Sequence, residues 1–181
     1  VDVIAADLSR PEESQALAGR IAANGTIDLL INNAGFGGTS RFFIDSPENS
    51  EAMVQVHVIA PVLLTRAALP SMVARGNGAV INVSSVAAYS PLSGAMYSST
   101  KAFLLMFSNN LRTELLRTGV KVQALCPGFT HTEFHAAAGF RESDIPRSMW
   151  MTAPKVVRTS LKALAADRLR VIPGLKNKFV V

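Results

Sequence analysis

Apolar runs of strand length that alternate with helix-length segments predict an α/β chain, with a parallel sheet covered by helices on both faces. Three observations carry that prediction. Residues 27–31 (IDLLI) and 79–83 (AVINV) are apolar almost throughout, as strands buried on both faces must be. The segments between such runs open on helix-start signals. The strands end on Asp, Asn, Gly, Ser or Pro, and open parallel sheets bind their ligands beyond those ends. Residues 1–181 read as a single domain.

Taken in order, residues 1–6 are the first expected strand. Residues 11–24 follow as a helix, with Ser9 as its cap, Pro11 in its first turn, and Glu12 and Glu13 complementing its dipole. Residues 27–31 are the second strand. Ser46-Pro47-Glu48, a cap followed by Pro at the first helical position, starts a long helix that reaches Arg75. Residues 79–83 are the third strand, 94–118 a second long helix and 120–125 the fourth strand. Thr152-Ala153-Pro154 opens a helix to Ala166, and residues 170–172 are a short last strand.

Composition narrows the function classes. The chain is 49% hydrophobic and 17% charged, as a globular domain is. Its one cysteine, Cys126, permits no internal disulfide, suits a reducing cytoplasm and reads as core in its apolar strand. No apolar run reaches the ~18 residues of a spanning segment, and no charged-then-apolar leader opens the chain. The chain starts at Val1 inside an expected strand and reads as a fragment. No metal site is expected. Residues 1–146 hold 10 basic and 12 acidic residues, whereas 147–181 hold 8 basic residues against Asp167 alone. The tail, 173–181, is therefore either a basic surface for peripheral contact with an anionic membrane or a solvated terminus. Without an aromatic-and-basic stripe, nucleic acid is not an expected partner.

The stretch 84–101, SSVAAYSPLSGAMYSSTK, carries the chemistry. On a helix Tyr97 and Lys101 are neighbours, and an ammonium beside a phenol lowers the phenol's pKa toward working pH. Ser85, or Ser84 beside it, can hydrogen-bond the oxygen that Tyr97 protonates. That chemistry suits the exchange of a hydride between a carbonyl and an alcohol. The plainer reading is a surface pair and a turn serine. At the other strand ends stand Asp7-Leu8, Asn32-Asn33-Ala34-Gly35 and Pro127-Gly128. Small residues at Ala34 and Gly35 let a flat ligand approach the backbone, and Asp7 can accept from an exocyclic amine.

In this order and at these intervals, Asp7-Leu8, Asn32 to Gly35, Ile81 to Ser85, Tyr97 to Lys101 and Pro127-Gly128 resemble the short-chain dehydrogenase/reductase family. The likeness implies a Rossmann-like, doubly wound fold and NADP as cofactor, with NAD as the alternative. It implies Tyr97 as catalytic acid/base, Lys101 on the nicotinamide ribose, and Ser85 on the substrate carbonyl. Asp7 and Leu8 would flank adenine, Asn33, Ala34 and Gly35 would line the cofactor, and Pro127, Gly128 and Thr130 would close over nicotinamide. The family's loop for a small-molecule carbonyl or alcohol corresponds to 131–151, where Phe134, Phe140, Met149 and Trp150 suggest a hydrophobic substrate. Its association helix corresponds to 94–118, so a homodimer or homotetramer is expected.

Three departures stand out. The family's glycine-rich pyrophosphate turn does not occur in these residues, and Gly35-Phe36-Gly37-Gly38 follows the wrong strand to replace it. Ser84 matches the family's usual spacing to Tyr97, whereas Ser85 heads the Ser-Val-Ala-Ala turn; only one can face the tyrosine. His57 stands where relatives carry an Asn that helps hold a proton-relay water. Pro61 has no N–H for the His57 carbonyl, so that carbonyl is free to keep the relay role while the imidazole tunes it. An ordinary packed histidine is the alternative. A non-catalytic cofactor sensor on the same fold is the competing reading of the whole.

Overall fold

The computed structural model describes residues 1–38, 41–90, 93–134, 138–139, 143 and 145–178. Its strands are β1 (Leu29–Asn32), β2 (Gly78–Val83), β3 (Val120–Leu125), β4 (Thr130–His131), β5 (Met151–Thr152) and β6 (Arg170–Val171). Its helices are α1 (Pro11–Asn24), α2 (Pro47–Val54), α3 (Ala60–Arg75), α4 (Ala95–Glu114), α5 (Ala153–Ala165) and α6 (Leu175–Lys178). One parallel sheet runs β1-β2-β3-β6, with Asn32 opposite Asn82 and Asn82 opposite Ala124. Short parallel β4 and β5 pair separately.

Alternation along the strands divides the core. Val80 and Val122 point to the face where Leu64, Ala68 and Met72 of α3 meet Leu111 of α4. Ile81 and Leu125 point to the other, against Val156 of α5 and Val171. Helices thus cover both faces, as expected of a doubly wound sheet. A buried polar chain crosses the first layer: Asn32 donates to Thr65 (3.0 Å) and Asn82 (2.8 Å), and Asn82 donates to Ser108 (2.9 Å). It ties the end of β1 to α3, β2 and α4, so Asn33 and Gly35 leave the sheet at a fixed height.

The expected strand at residues 1–6 is absent. These residues are mostly exposed and pair with nothing, because a parallel strand needs a neighbour's ladder and none of the described strands extends beyond β1. Ser9 is not the cap of α1 either. Arg10 holds that position without a side-chain bond, while the Ser9 hydroxyl donates to Asp7 at 2.7 Å. Ser46 does cap α2, accepting from Asn49 N–H at 3.1 Å. Between α2 and α3 the helix widens into a π turn, Gln55–Ile59, which pattern reading does not reveal. The continuous stretch Pro47–Arg75 is long and on average apolar enough to span a membrane, although polar residues interrupt every apolar run in it. It is nevertheless a core helix, burying Met53, Ala60, Leu64, Ala68 and Met72.

One turn sets the sheet's spacing. Gly119 has φ 80°, and a Cβ there would lie 2.0 Å from the Gly76 carbonyl oxygen at the end of α3. Gly119→Ala should therefore cost about 2–3 kcal/mol, from left-handed strain plus a backbone clash, and lower Tm by about 4–10 °C. Gly76→Ala, whose Cβ would meet only the Thr118 carbonyl oxygen at an ordinary 4.0 Å, should cost about 1 kcal/mol. Paired thermal melts check the ordering.

Candidate active site

The ends of β2 and β3, the first turns of α4 and the start of α5 enclose a cleft of about 990 Å³. Asn33, Gly35, Ser85, Tyr97, Lys101, Pro127, Gly128 and Thr130 all line it. Its edges are tied together: Ser84 N–H donates to the Leu125 carbonyl (2.7 Å), and Val86 N–H donates to the Pro127 carbonyl (3.0 Å). Leu8 and Ala34 border a separate small cavity of about 50 Å³ with Asn33, Val56 and Pro61. Asp7 lines neither, and its carboxylate is engaged by Ser9, whose N–H donates at 2.9 Å. Those two hydrogen bonds hold the Asp7 carboxyl below its ordinary range. The structure thus gathers the expected set in the cleft apart from Asp7, Leu8, Ala34 and His57.

The two serines separate cleanly. Ser84 is buried and donates to the Lys101 carbonyl at 2.7 Å, a helix-anchoring role. Ser85 opens the turn Val86–Tyr89 by accepting from Ala87 N–H at 3.1 Å, and its hydroxyl is near enough to the Tyr97 phenol to act on its pKa. Strand alternation therefore puts Ser85 beside the tyrosine.

Lys101 is 4% exposed, with Nζ 3.0 Å from the Val83 carbonyl it donates to and 5.7 Å from the Tyr97 ring centre. Burial lowers its pKa to about 8. The expectation that Tyr97 is lowered does not hold in this structure. Burial raises the phenol, only partly opposed by the Ser85 hydrogen bond, and the neighbouring ammonium does not reverse the direction. Gly35 explains how closely these groups pack: a Cβ there would lie 2.9 Å from His57 Nε2 and 3.4 Å from Lys101 Nζ.

His57 is fully buried and stands behind the cleft wall, outside the lining. Phe36 N–H donates to its Nε2 at 3.0 Å, so Nδ1 carries the proton and donates to Thr100 Oγ1, also at 3.0 Å. Thr100 donates onward to the Tyr97 carbonyl at 3.0 Å. Burial, then the Lys101 charge, lowers the imidazole to about 3, so it is neutral at working pH. Thr100 and Phe36 were not singled out in the sequence, because their link to His57 spans separate elements.

Of the loop aromatics, Phe134 packs on Tyr97 with ring centres 5.9 Å apart and lines the cleft. A Cβ on Gly37 would lie 3.0 Å from Ala138 and 3.3 Å from Phe134, so this part of the loop reaches across the opening. Trp150 instead stacks on His131 at 4.8 Å and packs on Phe129, and neither it nor Met149 lines the cleft. Phe140 lies outside the described residues. Among the described residues, no group of three His, Cys, Asp or Glu is placed to hold a metal ion.

Residues 1–142 match the family model for the short chain dehydrogenases. The chain belongs to that family. A short-chain dehydrogenase of Sphingobium yanoikuyae, solved with NADPH, superposes with a TM-score of 0.88 at 33% identity, covering 94% of this chain and 66% of that one. A bulky-bulky ketone specific alcohol dehydrogenase of Comamonas testosteroni gives 0.85 at 30% identity, covering 96% and 66%. An NADP-dependent 3-hydroxy acid dehydrogenase of Escherichia coli is 35% identical over 156 residues, covering 82% of this chain and 63% of that protein. The chain spans from 23% to 63% of the length of the curated relatives it matches. Within the short-chain dehydrogenase fold, the cleft lies where strands end, the position open parallel sheets use for ligands.

Proposed function

We propose that this chain forms the catalytic part of an NADP-dependent oxidoreductase that interconverts a carbonyl and an alcohol. The observation that carries the reading is that Ser85, Tyr97 and the buried Lys101 line one cleft, with Lys101 Nζ 5.7 Å from the Tyr97 ring centre and Ser85 close enough to lower the phenol's pKa. The residues fit a dinucleotide's sugar and nicotinamide. Lys101 Nζ and the Asn33 amide line the cleft as donors for hydroxyl groups, and Gly35 borders it beside them. Pro127, Gly128 and Thr130 flank the same space. NADP is favoured over NAD by the relatives solved with it or named for it.

When bound, the nicotinamide supplies or accepts the hydride. The chain's own part is to place the carbonyl and manage its proton. Ser85 donates a hydrogen bond to the carbonyl oxygen, and Tyr97 O–H gives that oxygen a proton as negative charge builds on it. Lys101 stabilises the phenolate left behind. The raised pKa of Tyr97 keeps the proton in place until it is needed. His57, neutral and with both ring nitrogens hydrogen-bonded, passes no proton to the substrate; it positions the Phe36 backbone and the Tyr97 turn.

The substrate end of the cleft is apolar, bounded by Phe36, Phe129, Phe134, Val156 and Val157. A hydrophobic ketone or aldehyde suits that wall. With the complete reading frame, loss of NADPH absorbance should be at least about 10-fold faster, as kcat/KM, for aryl or long-chain ketones than for small keto acids. The reverse preference would overturn the substrate class. Phe103 and Phe107 stack on α4 and Met106 is exposed beside them, which favours self-association through that helix.

A further inference from the structure

The last described helix, α6, is a single turn, too short to hold itself together, yet it buries one polar side chain. Asn177 is 4% exposed. Its Nδ2 donates to the Pro173 carbonyl at 2.7 Å and lies 3.7 Å from Met151 Sδ. Its Oδ1 would be 2.5 Å from a Cβ on Gly128. Gly128 is not in the left-handed region, so the reason for glycine there is the closeness of this carboxamide. Gly174, at φ 86°, brings the same turn against Met151: a Cβ there would lie 2.9 Å from Sδ.

These contacts join two parts of the cleft. Gly128 belongs to its lining, and Met151 of β5 pairs with β4, from which the overhanging residues Thr132 to Phe134 run on. Met151 N–H also donates to the Phe129 carbonyl at 2.9 Å, so both ends of the overhang meet at one point. We infer that Asn177 is a positioning residue that sets the depth of Gly128 in the cleft and pins the base of the overhang. A solvated basic tail has no reason to bury an amide against a glycine; a clamp does. The effect on turnover rests on the reductase reading, whereas the clamp itself does not.

The test uses the complete protein and two readouts. Asn177→Ala should speed tryptic cleavage after the exposed Arg147, within the overhang, by about fivefold relative to cleavage after Arg20 on α1, since only the overhang is released. Asn177→Ser, which keeps a donor for the Pro173 carbonyl, should speed it less. Gly128→Ala should lower carbonyl kcat/KM by about 10-fold or more, because the lining must move away from Asn177. Adding Asn177→Ala should recover part of that loss by vacating the space, which general destabilisation would not do. An unchanged Arg147 to Arg20 cleavage ratio, or a double variant no better than Gly128→Ala, overturns the inference. Should the wild type turn over no carbonyl, the reductase reading fails and the cleavage ratio alone decides the clamp.

Discussion

Tyr97→Phe should lower kcat for carbonyl reduction by about 10³-fold while NADPH affinity changes less than about threefold. The substitution is close to a pure test of the hydroxyl. The ring sits between His57 and Phe134, each with centres 5.9 Å away, and phenylalanine keeps both contacts. Only the proton source and the bond to Ser85 are lost. The pH dependence has a definite sign. Burial raises Tyr97, so the protonated form needed for reduction persists through neutral pH. Lys101 loses its charge as pH rises through about 8, and reduction by the wild type should fall above that point as phenolate stabilisation is lost. For stability the same lysine works the other way. Between about 8 and its ordinary 10.5, the unfolded chain binds the proton and the folded chain does not, so stability rises with pH across that window. Single-turnover rates for Tyr97→Phe beside Ser85→Ala, with NADPH binding followed by fluorescence, check the assignment. A Tyr97→Phe protein that still reduces carbonyls at the wild-type rate would remove Tyr97 from the chemistry.

Local signals explain which parts of this structure were readable beforehand. Pro11 with Glu12 and Glu13 marks α1, whose bounds came out as expected, and β3 likewise follows from a Val-rich run, VKVQAL, between two turns. The first six residues failed because a strand is a pairwise object: an apolar run states a preference, and only a neighbour's ladder makes it a strand. The π turn at Gln55–Ile59 was missed for a different reason. Its one local clue, Pro61 removing the N–H opposite the His57 carbonyl, does not distinguish a kink from a widened turn. At the site, motif spacing brought Ser85, Tyr97, Lys101 and the 127–130 turn to one cleft. Ser85 was preferred over Ser84 from the Ser-Val-Ala-Ala turn it heads, although the spacing to Tyr97 favoured Ser84. The direction of the Tyr97 shift required burial, which outweighs a neighbouring charge that the sequence does show. Asn177 gave no signal at all, since its partner Gly128 is 49 positions away by numbering and an Asn near a chain end reads as solvated.

His57→Asn should flatten the acid side of the stability profile, and it should disturb turnover by a route that Tyr97→Phe does not. The wild-type imidazole is held at about 3, against an ordinary 6.5, by burial and by the Lys101 charge. Its folded-state pKa is therefore depressed. Above 6.5 neither state binds the proton and the packing contribution is complete; as pH falls from 6.5 toward 3, the unfolded chain takes up a proton that the folded chain refuses, and stability is lost. One such group gives a slope of up to about 1.4 kcal/mol per pH unit, or about 2–5 °C in Tm per unit for a chain of this size. Asparagine cannot titrate, so that slope should diminish between pH 6 and 4, taken as roughly the middle of the window. The effect on activity follows from the hydrogen bonds. The shorter amide cannot span from Phe36 N–H to Thr100 Oγ1, and leaving a buried donor unpaired costs about 1–3 kcal/mol. The loop that carries Gly35 then loosens, which should raise KM for NADPH more than it lowers kcat. His57→Gln, longer and able both to accept from Phe36 and donate to Thr100, should recover much of that KM without restoring the acid slope. If instead His57→Asn shifts the pH profile of kcat and leaves KM alone, the imidazole takes part in proton transfer and its role as a neutral bridge is wrong.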